Sequence, residues 1–225
     1  MLAICHLCRE PSDIRNLFRS LALALSLVAG FAHALSAAPV AGKDYEVLKV
    51  AQPTSAPPGK VEVTEFFWYS SPHCYELEPT IEAFVKKEGD RILFKRVAVT
   101  FDSKLLPYTK LYYSLVRLGL EEKLTPAVYD EIHQQKKRLL AEDAQANFLA
   151  TQGVDKKKFV EAYESFEVPA LVMEAMEQVH NYQIDVVPTL VVAGKYKTGP
   201  MYTKSYDGTA PVLDYLVKQV LDNKL

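Results

Sequence analysis

Residues 61–68 (VEVTEFFW) form a β-branched and aromatic run of the kind that fills a central strand. Residues 91–101 (RILFKRVAVTF) predict a second buried strand. Between them Ser71-Pro72 breaks the first strand. From about His73 onward Leu77, Ile81, Phe84 and Val85 then recur at helical spacing. Pro79 falls inside that pattern and predicts a kink. Strand, turn, helix and strand make a βαβ unit, which implies a parallel pair. Upstream, residues 45–50 read as an edge strand, ended by the turn-rich stretch 53–59 (PTSAPPG).

From Asp102 to about Asn181 the pattern is helical throughout. Thr125-Pro126 reads as an N-cap followed by proline at the first helical position. Gly153 reads as a helix stop, and Asp155 as the start of the segment carrying Phe159, Val160 and Tyr163. Val172, Met176 and Val179 predict the apolar stripe of the last helix in the block, and its Tyr and Met side chains read as core. Strands return at residues 186–192 (VVPTLVV). A tight turn at Ala193-Gly194 then leads to Lys195-Tyr196, which together predict a hairpin. Residues 211–221 (PVLDYLVKQVL) close the chain as an amphipathic helix. The summed order predicts an α/β fold, a mixed central sheet flanked by helices, with an all-helical insertion.

The first forty residues follow another logic. Arg9, Arg15 and Arg19 precede an apolar run over residues 21–32, and small residues follow in Ala32-His33-Ala34 and Leu35-Ser36-Ala37. These are the marks of a secretory signal peptide, expected over residues 1–37 and removed on export. The apolar run is shorter than the roughly 20 residues that span a bilayer. The whole chain carries a net charge of −2. Loss of three Arg and two acids with the leader leaves 23 cations against 26 anions, a balance of −3. Neither value points to nucleic acid or an anionic membrane as partner. Cys5 and Cys8 precede the apolar run and read as incidental, so Cys74 alone remains in the mature chain. A lone thiol in an oxidising compartment must be buried, reactive or paired with another molecule.

Chemistry gathers around Ser71-Pro72-His73-Cys74, where the strand runs into the helix. A C-x-x-C at such a point serves thiol–disulfide exchange. The first sulfur sits where free N–H groups and the helix dipole favour a thiolate, and the second lies close enough to resolve a mixed disulfide. Here serine stands at the first position. His133 and His180 have no partner at ligand spacing, so no metal site is expected, and no cofactor is implied. The basic runs 136–138 and 156–158 read as solvated helix faces.

The stretch EFFWYSSPHCYELEP (residues 65–79) resembles the active-site segment of the DsbA family of thiol:disulfide interchange proteins, which have a thioredoxin-like fold. The resemblance continues in Val187-Pro188-Thr189, which is similar to that family's substrate-binding cis-proline loop, and in the hairpin after it. Glu65 matches the buried acid beneath the family's site, and Arg96 or Lys95 its balancing base. It implies a thioredoxin-like domain from residues 38–102 and 180–225, with a helical insertion domain at 103–179. Catalytic positions implied are Ser71, Pro72, His73 and Cys74: the place of the nucleophile, the dipeptide that tunes it and the resolving thiol. Implied partners are newly exported proteins with free thiols and a DsbB-type membrane quinone reductase, with the protein acting as a monomer.

The departure is Ser71, where the family carries its attacking cysteine. A hydroxyl stays protonated near neutral pH and forms no disulfide, so the chain as written lacks a dithiol cycle. Three accounts remain open. The serine is a substitution that removes activity or fixes one redox state, or it marks a natural monothiol homologue that still binds peptides, or it is the working residue. The last has a parallel in kappa-class glutathione transferases and chromene-carboxylate isomerases, which resemble this chain in their Ser-Pro pair.

Overall fold

The computed structural model describes residues 37–225, with residues 39–225 forming one compact unit. Residues 1–36, which hold Cys5, Cys8 and all but the last residue of the expected leader, lie outside the described residues.

Five strands form one sheet: β1 (Glu46–Val47), β2 (Val61–Phe67), β3 (Ile92–Ala98), β4 (Thr189–Val192) and β5 (Tyr196–Thr198). Their spatial order is β1-β5-β4-β2-β3. β2 pairs parallel with β3, the expected βαβ crossover, and antiparallel with β4. β4 and β5 make the hairpin, and β1 closes the far edge antiparallel to β5. All seven residues of β2 are buried. That is what an uninterrupted VEVTEFF run requires, since a strand between two neighbours and two covered faces meets no water. The hairpin turn needs two positive φ angles, taken by Ala193 (51°) and Gly194 (65°). Glycine is required at 194 for space as well, because a Cβ there would come within 2.2 Å of the Gln52 carbonyl oxygen.

Helix α1 (Pro72–Glu88) leads from β2 to β3. It runs through Pro79, which removes one helical N–H without ending the helix. The block between β3 and β4 folds as α2 (Leu106–Leu118), α3 (Glu121–His133), α4 (Glu142–Thr151), α5 (Lys156–Tyr163) and α6 (Glu167–Asn181). A four-residue helix α7 (Pro200–Thr203), which no periodicity announces, follows β5, and α8 (Thr209–Leu221) ends the fold. Two apolar clusters result. Leu77, Ile81 and Phe84 of α1 pack with Leu213, Leu216 and Val217 of α8 and with Val61, Val63, Leu190 and Val192 of the sheet. The helical block packs Leu111, Leu115, Val128, Leu149 and Phe159 with Phe66, Phe67, Val97 and Ala98.

Four local expectations are corrected. Thr125-Pro126 does not start a helix: α3 begins at Glu121, and Pro126 lies inside it. The Thr125 hydroxyl is 2.8 Å from the Tyr69 hydroxyl in the core, so a tertiary bond has claimed the group that a cap would use. In α6 the buried stripe is Val168, Val172 and Ala175, whereas Met173 and Met176 face outward, 71% and 56% exposed. Residues 136–138 are exposed as expected but lie on the connection between α3 and α4, not on a helix. The strand expected to be buried over 91–101 ends at Ala98 and lies at the sheet edge, with only Ile92, Val97 and Ala98 buried, and that expected over 186–192 starts only at Thr189. Gly153 and Asp155 behave as read: Gly153 has φ 84° just after α4, and the Asp155 carboxylate accepts from the Lys158 amide at 2.9 Å.

Phe67 joins the two halves of this architecture. Its ring is fully buried and lies edge-on to Tyr69, Tyr112 and Tyr129, with centroids 5.0 to 6.3 Å away. Phe67→Ala is expected to cost about 3–5 kcal/mol of stability, measured as the shift in urea unfolding followed by circular dichroism.

Candidate active site

Ser71 is the N-cap of α1, with extended backbone angles, and Pro72 occupies the first helical turn. Both choices follow local rules: a serine oxygen satisfies an orphan N–H, and proline has none to lose. The Ser71 Oγ accepts the Cys74 amide at 3.2 Å, and the Ser71 amide itself donates to the Trp68 carbonyl at 2.9 Å. Pro72 and His73 are exposed while Cys74, one turn in, is wholly buried. Burial pushes the Cys74 thiol up to about 12, with the Ser71 hydroxyl opposing and Glu65 adding to the rise. Ser71 is itself only 8% exposed, at the capping end of the turn, and the thiol lies one turn further in with no exposure at all.

Under the thiol lies a charged cluster. Glu65 is fully buried on β2, and the register sets it directly beside Arg96 of β3. The Arg96 guanidinium donates to Glu65 Oε2 at 2.8 Å and to Glu78 Oε1 at 2.6 Å. Of the two bases considered for this place, Arg96 fills it. Lys95 points elsewhere and pairs with Glu62 at 3.0 Å. Glu78 went unremarked in the sequence, although it stands four residues after Cys74 and so shares that residue's buried face of α1. One carboxylate oxygen of each acid, Glu65 Oε1 and Glu78 Oε2, lacks a hydrogen-bond partner. Two buried acids against one cation leave a surplus negative charge, which a retained proton relieves. Accordingly burial first, and then Glu65, raise the Glu78 carboxyl above the usual range, with Arg96 opposing.

The second half of the site comes from far along the chain. The Val187–Pro188 peptide bond is cis. His73 lines one cavity of about 660 Å³ together with Val187 and Pro188. Thr189 is buried at the start of β4, where its hydroxyl donates to the Val186 carbonyl at 2.7 Å and braces the loop. The opposite wall, Pro200 to Asp207, was not legible as site: Met201, Lys204 and Tyr206 line the same cavity. The Tyr206 hydroxyl lies 2.6 Å from His73 Nδ1. Interaction with the neighbouring Glu76 carboxylate, and then burial, push the Tyr206 hydroxyl up to about 12. Gly199 was the available clue to this wall. It has φ 146°, and a Cβ there would lie 2.8 Å from the Pro188 carbonyl oxygen, so the wall approaches the loop through a glycine. Among the described residues no three His, Cys, Asp or Glu side chains gather where they could hold a metal ion.

A thioredoxin family matches residues 56–209. The thiol:disulfide interchange protein DsbA of Burkholderia cepacia is 59% identical over 212 residues, covering 94% of this chain and all of that protein. The chain belongs to the DsbA family. Similarity within that family extends to DsbA of Pseudomonas aeruginosa, 35% identical over 206 residues, 92% of this chain and 97% of the relative. The crystal structure of Pseudomonas aeruginosa DsbA superposes with a TM-score of 0.77, at 35% identity, over 82% of this chain and 96% of that one. Reduced DsbA1 from Neisseria meningitidis gives 0.72 at 29% identity, over 84% and 98%. The thioredoxin-like fold, the mixed sheet and the DsbA-type thiol:disulfide interchange class are thereby established for the chain.

Two consequences follow for the DsbA-type site. With its thiol held up at about 12, Cys74 is expected to resist iodoacetamide in the native protein at pH 8 under conditions that alkylate it fully in urea, as read by mass spectrometry. A raised Glu78 carboxyl means that the folded state keeps a proton the unfolded chain releases. The stability tied to that proton is complete below the ordinary carboxyl range and is lost as pH climbs through the raised value. Glu78→Gln, which has no such proton to hold, is therefore expected to gain stability relative to the parent between pH 5 and pH 8, measured as the difference in urea midpoints at each pH.

Proposed function

We propose that this chain is a periplasmic thiol:disulfide oxidoreductase by descent, acting on newly exported, unfolded proteins, whose own redox cycle is interrupted at Ser71. The observation that carries this reading is the pairing of a serine N-cap beside the exposed Pro72-His73 with a fully buried thiol one turn further in. In disulfide donation a substrate thiolate attacks one sulfur of the protein's disulfide and the other sulfur leaves with the electron pair. A second substrate thiolate then displaces the first sulfur. The substrate loses two electrons and two protons, and the protein gains them as a dithiol. With oxygen at position 71 there is no sulfur–sulfur bond to break, so neither displacement has a starting point.

The remaining parts keep their places in this reading. His73 is the group that tunes a thiolate at position 71, Pro72 fixes the turn, and Cys74 is the resolving thiol. Glu65 is the buried acid beneath it, held by Arg96. Val187, Pro188 and Thr189 are the loop that receives an extended substrate segment, with the cavity beside His73 as its groove. Residues 38–102 and 180–225 act as the redox scaffold and 103–179 as the cover over it. A DsbB-type quinone reductase is the partner that reoxidises the intact dithiol form, and the protein works as a monomer after loss of residues 1–37. The bound peptide groove without redox turnover is what the serine form itself retains.

Restoring cysteine tests this directly. Ser71→Cys is expected to oxidise a dithiol peptide at least about a thousandfold faster than the parent, the scale on which a missing nucleophile registers. Its new thiol is expected to titrate well below the ordinary value of about 8.5. An inert Ser71→Cys protein overturns the reading. Tight glutathione binding by the serine form, with the thiolate ionised on binding, would replace it with a serine-dependent glutathione chemistry of the kappa-class type.

A further inference from the structure

The segment that carries the site, residues 70–74, is held at both ends by one side chain of the helical block. His133 is the last residue of α3. Its Nε2 lies 2.8 Å from the carbonyl oxygen of Tyr69, the residue just before the segment. A carbonyl only accepts, so Nε2 carries the proton and donates. The same ring stacks on Tyr75, the residue just after the segment, with centroids 4.9 Å apart and planes 12° from parallel. Two neighbours of His133 complete the hold on Tyr75. Its hydroxyl donates to Asp130 at 3.2 Å and accepts from Gln134 Nε2 at 2.6 Å. Residues 130, 133 and 134 stand at the i, i+3, i+4 spacing that puts them on one face of a helix. Earlier on the same helix, Thr125 meets the Tyr69 hydroxyl at 2.8 Å.

We propose that His133 is a positioning residue for the exchange reaction, one that sets the geometry of the first turn of α1 by bracketing it between the Tyr69 carbonyl and the Tyr75 ring. This rests on the thiol–disulfide reading above. The field that stabilises an anion at a helix N-terminus falls off within the first turn, so a small displacement of residue 71 against the open amides changes how well a thiolate there is held. The imidazole is suited to this part because it is rigid, donates from its edge and stacks through its face. Replacements can remove these two contacts one at a time. A residue that merely packed α3 against the sheet would affect stability and leave the chemistry of each folded molecule unchanged.

The test uses the full chain carrying Ser71→Cys. In that background His133→Phe keeps a ring against Tyr75 but donates nothing, and His133→Met is a second donor-free replacement of similar bulk. His133→Gln keeps an N–H for the Tyr69 carbonyl without an aromatic face. The readouts are the equilibrium of the 71–74 disulfide with glutathione and the titration of the thiol introduced at position 71, with urea midpoints recorded alongside. His133→Phe or His133→Met is expected to make the disulfide less oxidising by at least about fivefold in that equilibrium constant, the scale of one lost hydrogen bond. The thiol should titrate higher, and His133→Gln should recover more than half of the loss. Equilibrium constants within about twofold of the His133 parent in every variant, with only the urea midpoint lowered, overturn the proposal and leave His133 a packing residue. An inert Ser71→Cys parent is a separate failure: it removes the thiol–disulfide reading and this inference with it.

Discussion

Arg96 sits between two carboxylates that the sheet and the helix have taken out of water, and much of the molecule is arranged to keep it there. Through Glu65 it ties β3 to β2, and through Glu78 it ties both strands to α1, at 2.8 and 2.6 Å. Taking ions out of water costs several kcal/mol each, and removing one partner from such a cluster strands the rest. The parallel register of β2 and β3, with Glu65 beside Arg96, therefore has an electrostatic reason as well as an apolar one. The arrangement also fixes the field below Cys74. Burial over this cluster, with Glu65 adding to it, discourages a thiolate at Cys74, so ionisation belongs at the capping position of the turn, residue 71.

Much of this could be read from the chain before any fold was known, and the reasons differ by element. The run around Val63 was legible as a strand because all seven residues of β2 are buried between two neighbours, and the run around Val97 because its apolar residues are ones that favour strands, although β3 is an edge strand. Glu65 was legible as an intruder in one of those runs. Glu78 was not, because a glutamate on a helix is ordinary until its face is known to be the buried one. The Pro200–Asp207 wall left only a faint trace. Its contribution depends on Gly199 letting one backbone lie against another, which is a fact of tertiary space and not of pattern. Thr125-Pro126 misled because the local rule was sound but the hydroxyl had a better partner 56 residues away, at Tyr69. Met173 and Met176 misled through apolar composition; the stripe that α6 buries runs along Val168, Val172 and Ala175 instead.

Ser71 shows how differently structure and chemistry weigh one atom. As an N-cap it is among the best residues available, and the turn it closes, from the Trp68 carbonyl to the Cys74 amide, is complete. Packing and helix geometry give no sign that anything is missing. On the function proposed above, the change at this position is confined to what oxygen will not do: ionise near neutral pH and bond reversibly to sulfur. The scaffold keeps its buried acids and its cis-proline loop with oxygen at this position.

The order of strands in the sheet has a consequence in time. β2 is covered on one edge by β3, which follows it closely in the chain, and on the other by β4, which comes only after the whole helical block. A chain emerging from its N-terminus thus presents α1 and Cys74 long before β4, the Val187–Pro188 loop or α8 exists to cover them. Contacts of such sequence separation form late and slowly. During that interval the thiol that ends up wholly sheltered in the mature fold is an ordinary exposed cysteine, open to whatever sulfur chemistry its surroundings offer.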